Sequence, residues 1–430
     1  MKHITLLILF VFTINSIFAQ ENNFKDQAIE QFKNENYASA IELMEKALNE
    51  NPNDADVYYY LGFFNHFNAY DSRPLKGYNS DYSDKILNYL DKALELNPNY
   101  GDAKYFYFVE CFAVAFTEYQ RNNIDKVKEQ VEKAYQKGVI PEWAIELGKT
   151  ILNSCDKDAI LFTHGDYSLN ICLFVQLHYG YRKDVSLIPL SLLDRPSFDL
   201  VINENKNSDI LRGVDLGITK EQILDMHPYK WDTTTVNLTV PSTLINQYSM
   251  PPNYTMDWVI EPDLYSERTV ARIKGADVKK QAYLSSTRAM LLNIVETNKW
   301  TRPIYFTNTF ESYYLAGLDQ YFQNCGLVSK LTPINTKDTP FEINVSALET
   351  LVFVTELPKL KTIIDNDQPR ASGIIGLYQS AYFILANHYK EQNDLEKNTE
   401  VIEKYKQNLM IGFKPDKEKG LLDYLEKMTK

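Results

Sequence analysis

Apolar positions recur at helical spacing through residues 24–153 and then change period. YASAIELMEKALNENPND (Tyr37 to Asp54) and DKILNYLDKALELNPNYGD (Asp84 to Asp102) are two versions of one amphipathic segment. Each carries Lys-Ala-Leu at its centre and Asn-Pro-Asn at its end. Proline cannot continue a helix, so Pro52 and Pro98 mark helix ends. A third, looser copy runs from Asp102 to Lys137, and Glu142 to Asn153 reads as one more helix covering the stack. The second copy carries an insertion over Ala69 to Tyr82.

At Asp158 the pattern becomes that of a sheet. A short apolar run (Ala159 to Phe162) breaks at His164-Gly165-Asp166, a helix-length segment (Tyr167 to Tyr179) follows, and a second apolar run (Val185 to Leu190) closes the unit. Run, glycine turn, amphipathic segment and run make a βαβ unit of a parallel sheet. Ligands of such units bind beyond the carboxyl ends of the strands. His164, Asp166 and Asp194, which follows the second strand, are therefore the candidate residues of a cleft. Asp194 to Ala276 is rich in proline, with short strand-like runs, and reads as an excursion of strands and ordered loops. Asp277 to Thr297 is again helical, Arg302 to Phe306 is a buried strand, and Tyr313 to Phe322 is helix-like before Gly326-Leu327-Val328. Helix, strand, helix and strand extend one parallel sheet to about four strands. Gly373 to Leu409 is a helix pair broken at Gln392-Asn393-Asp394, and Leu421 to Met428 adds a last helix.

The opening MKHITLLILFVFTINSIFAQ has a basic residue, an apolar core and a small residue before Gln20, the layout of a secretory signal. The expected product is exported, periplasmic or outer-membrane-associated, and not an integral membrane protein. A formal net charge of −12 argues against nucleic acid as a partner. Cys111, Cys155, Cys172 and Cys325 match no metal or redox spacing and have apolar or helical neighbours, which favours buried free thiols over a disulfide. No glycine-rich phosphate loop, nucleophile elbow or zinc motif is present, so no cofactor and no metal site are expected. His164 and Asp166 are weak candidates for an acid–base pair; an Asp capping the next helix is the simpler role.

The helical copies resemble the tetratricopeptide repeat, with Ala28, Ala40, Ala47, Gly62 and Ala93 at its small-residue positions. In that register Asp56, Tyr59, Phe63 and His66 share one face, and Asp102, Tyr105, Val109 and Phe112 take the equivalent positions in the next copy. The resemblance implies a concave groove for a protein or peptide; the alternative is packing against the following domain. From Asp156 to Pro333 the series DAILFTHGD, RKDVSLIPLSLL, NIVETNKWTRPIYF and LAGLDQYFQNCGLVSKLTP is similar to the soluble C-terminal part of bacterial multi-spanning O-mannosyltransferases, a family long catalogued as a domain of unknown function. The family pattern NGDNDT departs here to His164-Gly165-Asp166-Tyr167-Ser168-Leu169, and its membrane catalytic region has no counterpart in the chain.

The expected architecture is α/β with α-helical repeats: signal peptide 1–19, helical repeats 20–153, a small, mostly parallel α/β domain 156–365, and a helical hairpin 370–430. The expected function is that of an envelope binding or scaffold protein. Its repeats hold a protein or peptide and its α/β domain recognises a glycan or polypeptide. The alternative is an enzyme processing glycans or peptides at His164 and Asp166.

Overall fold

The computed structural model describes residues 24–71, 78–263, 282–336, 342–363, 371–412 and 414–428. The expected signal peptide lies outside them. The chain divides into two compact units, Met1–Glu110 and Cys111–Lys430. The division falls inside one helix, Gly101–Gln120, so the repeat-to-sheet boundary expected near residue 153 lies within the second unit.

The first unit consists of antiparallel helix pairs: α1 (Phe24–Lys33) with α2 (Tyr37–Glu50), and α3 (Ala55–Asp71) with α4 (Ser83–Leu96). α2 and α4 stop where the Asn-Pro-Asn triplets predict, with Asn51 and Asn97 as C-caps donating to Ala47 O and Ala93 O. Ala28, Ala40, Met44, Leu61 and Phe64 form the core of this unit. Gly62 explains the closeness of α3 to α4: a Cβ there would meet Leu90 at 2.8 Å. The expected insertion begins later than Ala69, because α3 continues to Asp71; residues 72–77 lie outside the description.

In the second unit, α5 (Gly101–Gln120), α6 (Ile124–Gln136) and α7 (Glu142–Asn153) lead to a five-stranded sheet. Its order is β2 (Ser186–Pro189), β1 (Ile160–Thr163), β7 (Ile304–Thr307), β9 (Val328–Leu331), β8 (Phe322–Asn324). β1 pairs in parallel with β2 and β7, and the expected βαβ unit is present with α8 (Asp166–Tyr179) as its crossover. The remaining pairs, β7 with β9 and β9 with β8, are antiparallel, so the sheet is mixed. The reason is local. Ala316 (φ 50°) and Gly317 (φ 80°) adopt left-handed backbone and split the helix-like segment into two 3-10 turns, Ser312–Leu315 and Leu318–Tyr321. No crossover helix forms there, and the Gly326 turn (φ 96°) returns β9 against β8.

The excursion contains helices that were not expected: α9 (Pro196–Glu204), α10 (Lys220–Leu224) and α11 (Ser242–Gln247). It also holds the strand pair β4 (Thr234–Thr239) with β5 (Thr255–Ile260), and its β3 (Tyr229–Lys230) pairs with β6 (Tyr283–Leu284), which lies past its end. The helix expected from Asp277 begins only at Ser286 among the described residues; it is α12 (Ser286–Asn298), capped by the Ser285 hydroxyl. After α13 (Val345–Glu349) come the expected C-terminal pair α14 (Ala371–Glu391) and α15 (Leu395–Leu409), then α16 (Pro415–Met428). All four cysteines are buried free thiols. Among the described residues no helix is long and apolar enough to cross a membrane.

Candidate functional site

β1 is flanked by parallel neighbours on both sides, and the two crossovers run in opposite directions. Right-handed crossovers of opposite direction place α8 and α12 on opposite faces, leaving a crevice at the carboxyl ends of β1 and β7. The turn after β1 lies there. Gly165 has φ 85° and ψ 146°, a conformation that only glycine adopts readily, and Asp166 opens α8. The backbone of His164 is tied to the loop after β7. Its N–H donates to Thr307 Oγ1 (3.3 Å), Thr309 Oγ1 donates to its carbonyl (2.9 Å), and the two threonine hydroxyls bond each other (3.0 Å).

Aromatic rings extend the site outward. The half-buried imidazole of His164 lies 5.2 Å from Phe310 and 5.8 Å from Tyr314, centroid to centroid. Tyr314 meets Tyr313 edge-on at 5.2 Å, and the Arg288 guanidinium stands 5.6 Å over Tyr313. Tyr313 and Tyr314 are 41% and 37% exposed, so this run of rings ends in an open shelf. Arg288 itself is buried in the first turn of α12. It donates to Asp263 Oδ1 and to Glu261 O, both at 2.9 Å.

The polar groups at this edge are incompletely paired. Thr163 Oγ1, Arg195 Nε, Arg288 Nε and both carboxyl oxygens of Asp199 are buried without a hydrogen-bond partner among the described residues. Asp199, in the first half of α9, is fully buried. Burial, reinforced by the nearby Asp194 charge, raises its pKa to about 9, so the carboxyl is neutral at pH 7. Desolvation by the surrounding chain also raises the Asp194 pKa, although the side chain stays exposed, and Arg195, whose Nε is 3.6 Å away, opposes the shift.

The structure thus brings His164, Asp166 and Asp194 to one edge, in different roles. The contacts of His164 run to the β7 loop. Asp166 is exposed in the first turn of α8, where the helix dipole favours an acid. Asp194 is exposed beside Arg195. Sequence reasoning missed Asp199, Arg288, Phe310, Tyr313 and Tyr314. The Tyr-Tyr pair was readable as a cluster, but its exposure was not. Among the described residues no group of three or more His, Cys, Asp or Glu side chains is placed to hold a metal.

The aromatic face of the repeats is filled. In the first unit Phe106 of α5 lies 6.0 Å from Tyr59, 4.6 Å from Phe63 and 5.6 Å from His66. His66 Nδ1 is 2.7 Å from Glu110 Oε2, and Tyr78 donates to the other oxygen of that carboxylate. Tyr59, His66 and Tyr105 are buried, as is Phe112 in the second unit. These residues, expected along an open peptide groove, are core side chains here: the rings of α3 and α5 cover each other.

Two comparisons with known proteins bear on the chain. A family model described as TMEM260-associated domain 2 matches residues 255–350. The matched segment contains Arg288, Thr307, Phe310, Tyr313 and Tyr314, while His164 and Asp166 precede it. No curated protein matches the chain.

Proposed function

We propose that this chain is an exported binding and scaffold protein of the cell envelope, with its recognition site at the carboxyl edge of the parallel strands. The observation that carries the reading is the coincidence, at one edge, of buried polar atoms without partners among the described residues and an open tyrosine shelf. Orphaned donors and acceptors lower stability unless a ligand completes them. Exposed tyrosines supply flat apolar faces with a polar tip. Together they suit a glycan or a polypeptide, which present both apolar faces and hydrogen-bonding groups. The helix pairs follow the tetratricopeptide pattern and hold a protein or peptide partner through surfaces other than their filled aromatic face. The sheet unit is a relative of the soluble region of the O-mannosyltransferases, used here for recognition.

The test is retention of envelope components on the immobilised full chain, comparing wild type with Tyr313→Ala/Tyr314→Ala. Both side chains are exposed, so the variant should keep its thermal midpoint and lose the retained component. Equal recovery by both proteins would sink the shelf reading. The enzymatic alternative, with His164 and Asp166 as acid and base, has weaker support because the imidazole faces Phe310 and Tyr314.

A further inference from the structure

At the far end of α12, Asn298-Lys299-Trp300-Thr301-Arg302 forms a tight reversal. Lys299 (φ 47°) and Trp300 (φ 61°) are consecutive non-glycine residues with left-handed backbone, and for a bulky aromatic this is an outlier. The turn is held by the side chain of Asn298, which donates to Arg302 O (2.8 Å) and accepts from Arg302 N (3.2 Å). Glycine or asparagine would occupy these positions with less strain, so the fold retains a tryptophan at a conformational cost. What the strain achieves is placement. The indole Nε1 donates to Thr239 O on β4 (3.0 Å), and the half-buried ring lines a cavity of about 320 Å³.

The other walls of that cavity are chemically mixed. Leu238 and Pro241 extend the apolar floor, and the exposed residues Asn237, Glu296 and Lys299 supply an amide, a carboxylate and an ammonium. One acid and one base leave the lining close to neutral, which disfavours a strongly charged ligand. The volume lies at the small end of the range of about 300–1,000 Å³ typical of ligand sites. The Thr239 carbonyl accepts from the indole, which fixes the ring against β4. A flat ring offering C–H bonds on one face and hydroxyls at its edge meets all of these conditions. Its apolar face would lie on the indole, and its hydroxyls would donate to Glu296 and accept from Asn237 and Lys299.

We propose that this cavity is a binding site for a single neutral hexopyranose residue, with Trp300 as its platform and Glu296 as its main hydroxyl acceptor. It is separate from the tyrosine shelf: Arg288 opens α12 and Trp300 follows its end, roughly 20 Å apart at the helical rise. The proposal therefore does not depend on the shelf.

Saturation-transfer NMR on the full chain, with methyl β-glucopyranoside and methyl β-galactopyranoside as probes, tests it. The expected result is saturation concentrated on the C–H protons of one sugar face for at least one probe. Trp300→Leu should lower affinity about tenfold or more, and Glu296→Gln by a similar factor. Loss of the signal in Trp300→Leu, which leaves the tyrosine shelf intact, separates this site from the shelf. If Trp300→Leu fails to fold by circular dichroism, Glu296→Gln and Asn237→Ala decide, since both side chains are exposed. Absence of saturation for both glycosides overturns the site, as does full signal in the folded variants. Preferential saturation of a proline-containing tetrapeptide, lost in the same variants, overturns it in favour of polypeptide.

Discussion

The two edges of the parallel strands use similar side chains to opposite ends. At the amino edge, arginines close the structure on itself. Arg182 forms two 2.9 Å bonds to the carboxylate of Asp184 and donates to Leu152 O, Cys155 O and Asp156 O. Arg302, from the strand motif Arg-Pro-Ile-Tyr-Phe, donates to Asp158 O (2.7 Å), Ala159 O (3.0 Å), Gly213 O (3.2 Å) and Ser186 Oγ (2.7 Å). It thereby pins β1, β2 and β7 where they begin. At the carboxyl edge, Arg195 Nε, Arg288 Nε, Thr163 Oγ1 and the Asp199 carboxyl oxygens are buried without a hydrogen-bond partner among the described residues. One edge is satisfied by its own side chains; the other has, among the described residues, buried donors and acceptors without partners beside exposed aromatic rings. The difference separates residues selected for folding from residues a ligand could use, without reference to which motif they belong to.

The largest expected effect comes from removing the closed edge. Arg302→Ala would remove four side-chain hydrogen bonds at once and take from Asp158 O the donor it has in Arg302, and should lower unfolding free energy by about 5 kcal/mol. Chemical denaturation measures this directly, and a loss below about 1 kcal/mol would remove the contrast between the edges. The second effect has the opposite sign. Because Asp199 keeps its proton up to about pH 9 when folded, while an unfolded aspartate releases it near pH 4, wild-type stability should fall as pH rises between those values and level off above. Asp199→Asn removes that slope and should stabilise the chain by about 4 kcal/mol at pH 7, with little gain at pH 4. Parallel stability curves for the two proteins from pH 4 to pH 9 would mean that Asp199 is ionised and paired, and the carboxyl edge as closed as the other.

Much of this was legible in the order of apolar runs and breaks. The βαβ unit followed from two short apolar runs around Gly165, and the helix ends at Pro52 and Pro98 from the chemistry of proline. Periodicity also placed Tyr59, Phe63 and His66 on one face, which is correct; it could not say that Phe106 covers them. The direction of β9 was hidden because Tyr313 to Phe322 has a helical pattern, and the left-handed Ala316 is invisible to periodicity. α9 was missed among scattered prolines, although Pro196 at its first position and Phe198, Val201 and Ile202 on its buried side were its signal. With α9 went Asp199, whose importance lies in burial, a property of the assembled edge.

The smallest expected effect concerns the residue at which the two readings of the site diverge most. Asp166 is exposed in the first turn of α8, where its charge interacts favourably with the helix N-terminus. As a helix-end acid, Asp166→Asn should cost only about 0.5 kcal/mol, and the cost should shrink further in high salt as screening removes the charge–dipole term. Ligand retention at the tyrosine shelf should be unchanged by the variant. An acid–base role predicts something quite different: turnover of a glycan or peptide substrate abolished while the thermal midpoint stays fixed. The same substitution therefore measures both quantities in one protein. A salt-sensitive loss of a few tenths of a kcal/mol with retention intact makes Asp166 part of the scaffold, and leaves the proposed recognition at this edge to the tyrosines and Arg288.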